Sequence, residues 1–408
     1  MKKVLIVSFN PIYPLYSGGA LAQYYFIDEL KDEVQFILCT EVKTEKELKN
    51  IRMLQEIQPN LKIHYTYTNQ NKVRKSFTYR LKKLIKRVLQ VKKTNQGSPS
   101  DADDFTDNYF EHVDHVYSHE FTDMLLEVIQ TEKISQVQLD FYETIDLCWL
   151  LPDAIRKIFI HHEVRYKRLT LAAAKSNVTE HYKQFLIDKT EAFERMCLRK
   201  MDHVVVFNED DFSIIKEDCK NITLSPYAIP KELIIKEEIS PEFNKFIFLG
   251  GEGHTPNKLG LFWFIESVYL SGTASQRFPL YIIGDWSEEV KNKYRLRPEI
   301  VFCGLVEHLS PYYEKAILVN PVLTGAGIRT KILQAFVNHV PVISTRFGAE
   351  GCFTGVNPGH IVLFDDAEEF NAALKTVDFK DLTEKAYQYY QSAFVQSNLA
   401  KIRYEIYN

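Results

Sequence analysis

Short apolar runs recur along the chain, separated by longer amphipathic stretches. In the first half they predict strands at Lys3–Ser8, Val34–Thr40, Ile63–Tyr67, Val137–Asp140, Lys157–His161 and His203–Asn208. In the second half they predict strands at Phe246–Gly250, Leu280–Gly284, Ile300–Cys303, Ile317–Pro321, Pro341–Thr345 and Ile361–Phe364. Strands that alternate with helical stretches form parallel sheets joined by right-handed crossovers. The pattern therefore predicts an α/β protein with two doubly wound domains.

The boundary between the two sets of strands is marked by prolines. Pro226, Pro230 and Pro241 flank a charged segment at 231–238. This break predicts an N-terminal domain over residues 1–228 and a C-terminal domain over residues 242–385. A final helical stretch occupies about residues 386–408.

The most informative segment is NPVLTGAGIRTKILQAFVNHVPVISTRFGAEG, residues 320–351. A glycine-rich turn, with Gly325 and Gly327, leads from a predicted strand into a predicted helix over Ile328–His339. The N-terminus of a helix offers free N–H groups to an anion. Arg329 and Lys331 lie in the first turn, where cations oppose the helix dipole. We therefore predict that both side chains bind a phosphate group; the alternative is two solvated surface cations.

Glycines also follow other predicted strands. Gly18 and Gly19 lie between the first strand and a helix, which predicts a backbone nest near a phosphate or sugar, or alternatively a plain loop. The pattern is not GxGxxG, so a dinucleotide site is not favoured. In the second half, Gly251 and the glycines at 284 and 304 follow neighbouring strands in sequence. We expect these strand ends to meet at one edge of the second sheet.

Two histidines end a strand of the first half. His161, His162 and Glu163 stand at the carboxyl end of the predicted strand, where open α/β sheets bind ligands. A histidine there can hydrogen-bond a sugar hydroxyl or transfer a proton; the alternative is one buried and one capping histidine. The spacing of His112, His115 and His119 does not favour a metal site, because no further ligand lies nearby in sequence.

Residues 72–93, KVRKSFTYRLKKLIKRVLQVKK, contain ten lysines and arginines and no acid. Their apolar positions share one helical face, which predicts a basic amphipathic helix that contacts an anionic membrane surface. The alternative is a packed helix with a solvated basic face.

Charge and cysteine content exclude several other classes. The net charge of −4 does not favour nucleic-acid binding by the protein as a whole. The six cysteines form no CxxC pair and are typical of reduced thiols in a cytosolic protein. The apolar run near the N-terminus predicts a first strand rather than a secretory signal. We expect a cytoplasmic protein. If residues 72–93 contact the membrane as predicted, the protein attaches peripherally to its inner face.

Several segments of the second half resemble the donor domain of the retaining GT-B glycosyltransferases of family 4. The similarity is best over about residues 246–351, in FLGG…PNKLGLFWF, YIIGD, FCGLVEHLSPYYEKAILVNPV, GAGIRTKILQAF and VPVISTRFGAEG. The first half matches only in layout. The resemblance implies two Rossmann-like domains that face each other across a cleft, with the C-terminal helix crossing back. It also implies transfer of a sugar from a nucleotide-diphosphate sugar to a glycan or lipid-linked acceptor, with retention of anomeric configuration.

The resemblance implies roles for individual residues. Arg329 and Lys331 would hold the diphosphate, and His162 would contact the transferred sugar; these three form the predicted catalytic set. The predicted donor-binding set comprises Gly18, Gly19, Gly251, Leu305, Val306, Thr324, Gly325, Gly327 and Gln334. Neither a metal nor another cofactor is implied, because two cations and a helix N-terminus can stabilise the leaving group.

The chain departs from the family pattern at two carboxylates. The family has a pair of glutamates seven residues apart around this helix, and here Gln334 and Ala326 stand near those places. The loop with Thr324 would substitute for the earlier one. These departures favour one alternative, a catalytically silent nucleotide-sugar-binding subunit. A second alternative, of the same architecture, is a GT-B nucleotide-sugar epimerase or hydrolase.

Overall fold

The computed structural model describes residues 2–15, 18–67, 116–173, 178–226, 229–235, 238, 242–324, 329–353, 358–394 and 396–408. The predicted basic helix at 72–93 lies outside these ranges, as do Gly325 and Gly327. The chain forms two compact units. The first comprises Met1–Val205, Ile215–Thr223 and Tyr407, and the second comprises Val206–Ile214, Leu224–Ile406 and Asn408. The main change of unit, at Leu224, is close to the predicted break; the domain limits themselves stay a prediction.

The first unit is built on a seven-stranded sheet. Its strands are β1 Lys2–Val7, β2 Val34–Val42, β3 Lys62–Tyr67, β4 Gln136–Asp140, β5 Arg156–His161, β6 His203–Val206 and β7 Ile222–Leu224. They lie in the order β3-β2-β1-β4-β5-β6-β7, and β1 pairs in parallel with β2 and β4. The centre of β1 is fully buried at Val4, Leu5, Ile6 and Val7. A parallel strand covered on both faces has this continuous apolar character.

The helices of the first half begin and end as follows: α1 Gly18–Glu29, α2 Glu45–Ile57, α3 His119–Thr131, α4 Arg165–Ala173, α5 Glu180–Leu198 and α6 Glu209–Ile215. Polar residues set several of these starts. Thr44 and Glu47 form a capping box at α2, and the Ser118 hydroxyl accepts from the N–H of Phe121 at α3. Such caps satisfy N–H groups that have no partner inside the helix.

The second unit is built on a six-stranded parallel sheet. Its strands are β8 Lys245–Leu249, β9 Leu280–Ile283, β10 Ile300–Gly304, β11 Ala316–Asn320, β12 Val342–Thr345 and β13 Val362–Phe364. The order is β10-β9-β8-β11-β12-β13. The carboxyl ends of β8, β9, β10 and β11 are therefore neighbours, as the glycine pattern predicted. An aromatic core that includes Phe246, Phe264 and Phe370 packs between the sheet and its helices.

The helices of the second half are α7 Thr255–Trp263, α8 Ala274–Arg277, α9 Glu288–Lys293, α10 Ser310–Tyr313, α11 Thr330–Val337, α12 Ala367–Thr376, α13 Phe379–Ala393 and α14 Gln396–Ile406. None of the helices within the described ranges is both long and apolar enough to cross a membrane.

The structure confirms the two doubly wound α/β units and all twelve predicted strands, with ends that differ by at most two residues. Three details were wrong. Strand β7 was missed, because its three residues are all partly exposed. Helix α11 begins at Thr330, so Arg329 precedes it as the N-cap residue. The C-terminal stretch forms two helices, α13 and α14, and the buried Phe394 lies between them.

Candidate functional site

A buried cation lies at the strand ends of the second unit. Lys331 is the second residue of α11, and its Nζ donates to the carbonyl oxygen of Leu249 (2.6 Å) and to Oδ1 of Asn257 (3.0 Å). Nζ also lies 5.2 Å from the centre of the Phe248 ring. Lys331 as a whole residue is partly exposed, whereas its ammonium group is buried. The β8 strand and helix α7 therefore hold the cation where α11 begins.

The environment of Lys331 disfavours its charged form. Burial, the larger cause, and the positive charge of Arg329 together lower the pKa of the Lys331 ammonium to about 7. Both causes disfavour the ammonium form, and among the described residues the hydrogen-bond acceptors of Nζ are carbonyl oxygens rather than carboxylates. A bound anion would supply the missing negative charge. The arrangement is therefore suited to a ligand that carries phosphate.

Arg329 lies beside this cation, directly before α11. Its guanidinium carbon is 5.6 Å from the centre of the Phe347 ring, and its carbonyl oxygen accepts a weak hydrogen bond from Sγ of Cys352 at 3.9 Å. The structure thus brings together the two cations that the sequence predicted, at the N-terminus of one helix. Their binding of a diphosphate stays a prediction.

The loops after β8 and β9 are packed so closely that glycine is required. Gly284 has φ +147°, and a Cβ there would lie 2.3 Å from the carbonyl oxygen of Gly250. Gly250 has φ +151°, and a Cβ there would lie 2.4 Å from Nδ2 of Asn257. Trp286 Nε1 donates to the Gly250 carbonyl oxygen at 2.9 Å. These contacts fix the backbone that supports Asn257 and hence Lys331.

Five of the other predicted donor-binding residues lie on the segments that follow the same strands. Gly251 follows β8, Leu305 and Val306 follow β10, and Thr324 comes shortly after β11. Leu305 is 77% exposed, so its apolar side chain is accessible to a planar ligand group. Gln334 is partly exposed on α11, and its backbone carbonyl accepts from Nδ2 of Asn338 (2.8 Å). Their roles in donor binding stay predictions.

Sequence reasoning missed Asn257. It lies in the first turn of α7, it is buried, and its Oδ1 accepts from Lys331. The available signal was a polar residue in an apolar helix that begins at a strand end. That signal does not name the partner, which lies 74 residues further along the chain.

The first unit has a separate cluster around His162. Its Nε2 lies 3.1 Å from Oδ1 of the buried Asp140, the last residue of β4. Its ring stacks on Phe141, with ring centres 3.7 Å apart and an angle of 7° between the planes. Gly19, which the sequence placed near a phosphate, lies against the same ring: a Cβ there would be 2.6 Å from Cζ of Phe141. Gly18 and Gly19 open α1.

The contacts of the adjacent His161 stabilise the fold. Its Nε2 is 2.8 Å from Oε1 of Glu194, and both side chains are buried. Glu194 also accepts from the backbone N–H groups of Arg165 (3.1 Å) and Tyr166 (3.2 Å), so it caps the start of α4. The pair thus holds α4 and α5 against the end of β5.

We expect Glu194→Ala to destabilise the fold by about 3 kcal/mol or more, because it removes three buried hydrogen bonds to a charged group. Glu191→Ala is the matched control on the same helix, since Glu191 is partly exposed and pairs with Arg195 (2.9 Å). It should cost less than about 1 kcal/mol. Urea unfolding measures both. Equal losses would contradict the structural assignment of His161 and Glu194.

No three metal-ligating side chains in the described part of the chain lie close enough together to hold a metal ion. His119 is an exposed residue at the start of α3, while His112 and His115 lie outside the described residues.

Residues 244–377 match the family model described as glycosyl transferases group 1. The matched domain contains β8 to β13 and both cations. A Klebsiella pneumoniae protein described as an uncharacterized 44.6 kDa protein in the cps region is 26% identical over 243 residues, which are 52% of this chain. The match spans 62% of that protein's length.

Solved structures share the fold over the whole chain. Sucrose-phosphate synthase from Thermosynechococcus elongatus aligns with a TM-score of 0.65 and 12% identity, covering 100% of this chain and 98% of its own. TarM aligns with a TM-score of 0.64 and 10% identity, with coverages of 100% and 99%. Anabaena HepE in complex with UDP-glucose aligns with a TM-score of 0.60 and 11% identity, also with coverages of 100% and 99%. The chain has the GT-B fold of two Rossmann-like domains, and its residues 244–377 are similar to the glycosyl transferases group 1.

Proposed function

We propose that this protein is a retaining GT-B glycosyltransferase. It transfers a sugar from a nucleotide-diphosphate sugar to a glycan or lipid-linked acceptor. The observation that carries the proposal is the enclosed Lys331 ammonium beside Arg329, at a helix N-terminus within the matched domain. The solved structure of HepE with UDP-glucose supports this class of donor.

The proposed reaction proceeds on one face of the donor sugar. The bond from the anomeric carbon to the diphosphate oxygen breaks while an acceptor oxygen bonds to the same face of that carbon. The acceptor's proton passes to the leaving diphosphate. Arg329 and Lys331 stabilise the charge that develops on the diphosphate, and close positioning supplies much of the remaining acceleration.

The remaining residues would bind the donor. We propose that Leu305 and Val306 lie along the base, that Gln334 hydrogen-bonds the ribose, and that His162 contacts the transferred sugar. The turn residues complete the phosphate site: Gly18, Gly19, Gly251, Thr324, Gly325 and Gly327. No metal takes part in this scheme.

The test has two steps. A thermal-shift panel of UDP-, GDP- and ADP-sugars first identifies the donor, since a ligand of the native state raises its apparent stability. Proton NMR of the product then reports the anomeric configuration, with and without EDTA. We expect a product with the donor's configuration in both cases. An inverted product, or loss of activity on chelation with recovery on added magnesium, would refute the proposed mechanism.

The two alternatives are distinguished by the same assay. Donor binding without turnover on any acceptor would identify a silent binding subunit. Conversion of donor without an acceptor would identify an epimerase or hydrolase.

We also propose that residues 72–93 bind an anionic membrane surface, which would place a cytoplasmic enzyme next to a lipid-linked acceptor. The support is the sequence of this segment alone, with its ten cations and no acid. Vesicles with anionic lipid should retain the protein at low salt and release it at high salt. Replacing four of the cations by glutamine should abolish retention: Lys82, Lys83, Lys86 and Arg87.

A control variant removes four exposed cations elsewhere: Lys46, Lys49, Arg52 and Lys380. It should sediment with vesicles like the unmodified protein. If both variants lose retention equally, net charge rather than the basic segment determines binding.

A further inference from the structure

A buried chain of hydrogen bonds runs from His162 to Tyr407 within the first unit. Nε2 of His162 is 3.1 Å from Oδ1 of Asp140, and the other carboxylate oxygen, Oδ2, accepts from Nε2 of Gln138 at 2.6 Å. The Tyr407 hydroxyl donates to Oε1 of Gln138. Asp140, Gln138 and Tyr407 are 1%, 2% and 4% exposed. Such a chain is costly to break, because each buried polar group would lose its partner.

The direction of each hydrogen bond follows from the chemistry of its partner. A carboxylate only accepts, so Gln138 must present its NH₂ to Asp140. The Gln138 carbonyl is thereby turned toward Tyr407 and accepts the phenolic proton. By the same argument, His162 must donate to Asp140 through Nε2. A neutral imidazole protonated on Nε2 has no proton on Nδ1, so Nδ1 is an acceptor.

The ring plane of His162 is also held. Phe141, which stacks on it, has φ 69° and ψ 159°, a backbone conformation that a residue with a side chain rarely adopts. Gly19 leaves the space that the Phe141 ring occupies. Such strain persists only where the surroundings enforce it, and it clusters at functional sites. The orientation and the protonation pattern of His162 are therefore set by different groups.

We propose that Asp140, Gln138 and Tyr407 are positioning residues that hold His162 in the tautomer protonated on Nε2. Nδ1 then accepts a hydrogen bond from a hydroxyl group of the bound sugar. The hydroxyl ligand rests on the proposed function, whereas the tautomer does not. Tyr407 would thus act on the sugar site through three successive hydrogen bonds.

The tautomer is measured on the full-length, ligand-free protein with ¹⁵N-labelled histidine. Long-range ¹H–¹⁵N spectra distinguish protonated from unprotonated ring nitrogens, and the spectrum of His162→Ala identifies the His162 signals. We expect a protonated Nε2 and an unprotonated Nδ1. A protonated Nδ1 on neutral His162 would overturn the proposal without any further variant.

Two variants test the chain of hydrogen bonds. Asp140→Asn should shift His162 toward the Nδ1-protonated tautomer, because the new amide can donate to Nε2. Tyr407→Phe keeps an aromatic ring near Phe26 and Phe36 (ring centres 6.2 Å apart) but removes the hydroxyl, and it should change the His162 signals less. The control is Tyr404→Phe, the same change at a partly exposed residue. If Tyr407→Phe and Tyr404→Phe give the same spectrum, Tyr407 is not a positioning residue.

Activity gives the second readout. Once the donor is known, Asp140→Asn should lower kcat/KM on the order of tenfold or more, the effect of one misdirected hydrogen bond. Binding of the nucleoside diphosphate without sugar should be unchanged. If the tautomer is as expected but no sugar is transferred, the proposed function fails and the positioning assignment stands. If sugar is transferred and these variants change neither tautomer nor kcat/KM, the positioning assignment fails.

Discussion

Lys331→Met is expected to weaken binding of the nucleotide-diphosphate sugar by roughly 10- to 100-fold at pH 6.5. The substitution removes a charge-assisted hydrogen bond worth about 1.5–3 kcal/mol, and each 1.4 kcal/mol is about tenfold in affinity. Isothermal titration calorimetry measures this loss. The corresponding nucleoside, which lacks phosphate, should bind to both proteins equally; an equal loss for the nucleoside would contradict the placement of Lys331.

The same lysine predicts a pH dependence. Because the pKa of Lys331 is lowered to about 7, the unliganded protein loses this charge as pH rises through 7. Above that pH, binding of the diphosphate must take up a proton, so affinity falls by up to about tenfold per pH unit. Lys331→Arg keeps its charge and should show no such fall between pH 6 and 9. A flat profile for the unmodified protein would contradict the lowered pKa.

The stability of the unliganded protein should change with pH in the direction opposite to that of diphosphate affinity. Between the lowered pKa near 7 and the ordinary lysine value of 10.5, the unfolded chain binds more protons than the folded one. The contribution of Lys331 to the stability of the unliganded protein therefore increases with pH across this window. Stability and diphosphate affinity should move in opposite directions, as expected for a group whose environment serves a ligand rather than the fold.

Gly284→Ala is expected to destabilise the protein by about 2–6 kcal/mol. The estimate combines about 1–3 kcal/mol for a residue with a side chain at φ +147° and about 1–3 kcal/mol for overpacking. The new Cβ would lie 2.3 Å from the Gly250 carbonyl oxygen, and backbone cannot move aside as a flexible side chain can. Nucleotide binding should fall as well, because the shifted loop carries the contacts of Asn257 and Lys331.

Gly253→Ala is the matched control in the same region. Gly253 is exposed, and nothing lies within 4 Å of a Cβ built there. Its free energy of unfolding should change by less than about 0.5 kcal/mol. Differential scanning calorimetry of the two variants provides the comparison. Similar melting temperatures for both variants would show that the β8–β9 loops tolerate the strain.

The strands and helices were largely predictable from the sequence, because the polarity of each residue indicates whether that residue is buried. Every residue of Ala316–Asn320 is buried, and the apolar sequence of this run predicts a central strand. The glycine-rich turn and the apolar face of α11 likewise located the cation site. Strand β7 and the break at Phe394 were not predictable. Both depend on how remote parts of the chain pack, and neither has a local pattern of its own.

The tertiary structure decided which side chains contact each other. His161 and His162 are adjacent, and the sequence does not show which side chain each of them contacts. In the fold, His161 meets Glu194 from α5, and His162 meets Asp140 at the end of β4. A Cβ added at Gly19 would meet the Phe141 ring, a neighbour that the sequence did not indicate, and the approach of Gly19 to a phosphate stays a prediction.

The sequence by itself determined the two α/β units, their strands, and the residue types that gather at the strand ends. It also located Arg329 and Lys331 at the start of one helix. Only the tertiary structure decided that Lys331 donates to Leu249 and Asn257, 82 and 74 residues away, and that Tyr407 connects to Asp140 through Gln138. Periodicity records which side of an element is buried, because burial depends on each residue's own polarity. Hydrogen-bond partners and pKa values depend on which distant groups the fold brings within about 3 Å, and no local pattern carries that information.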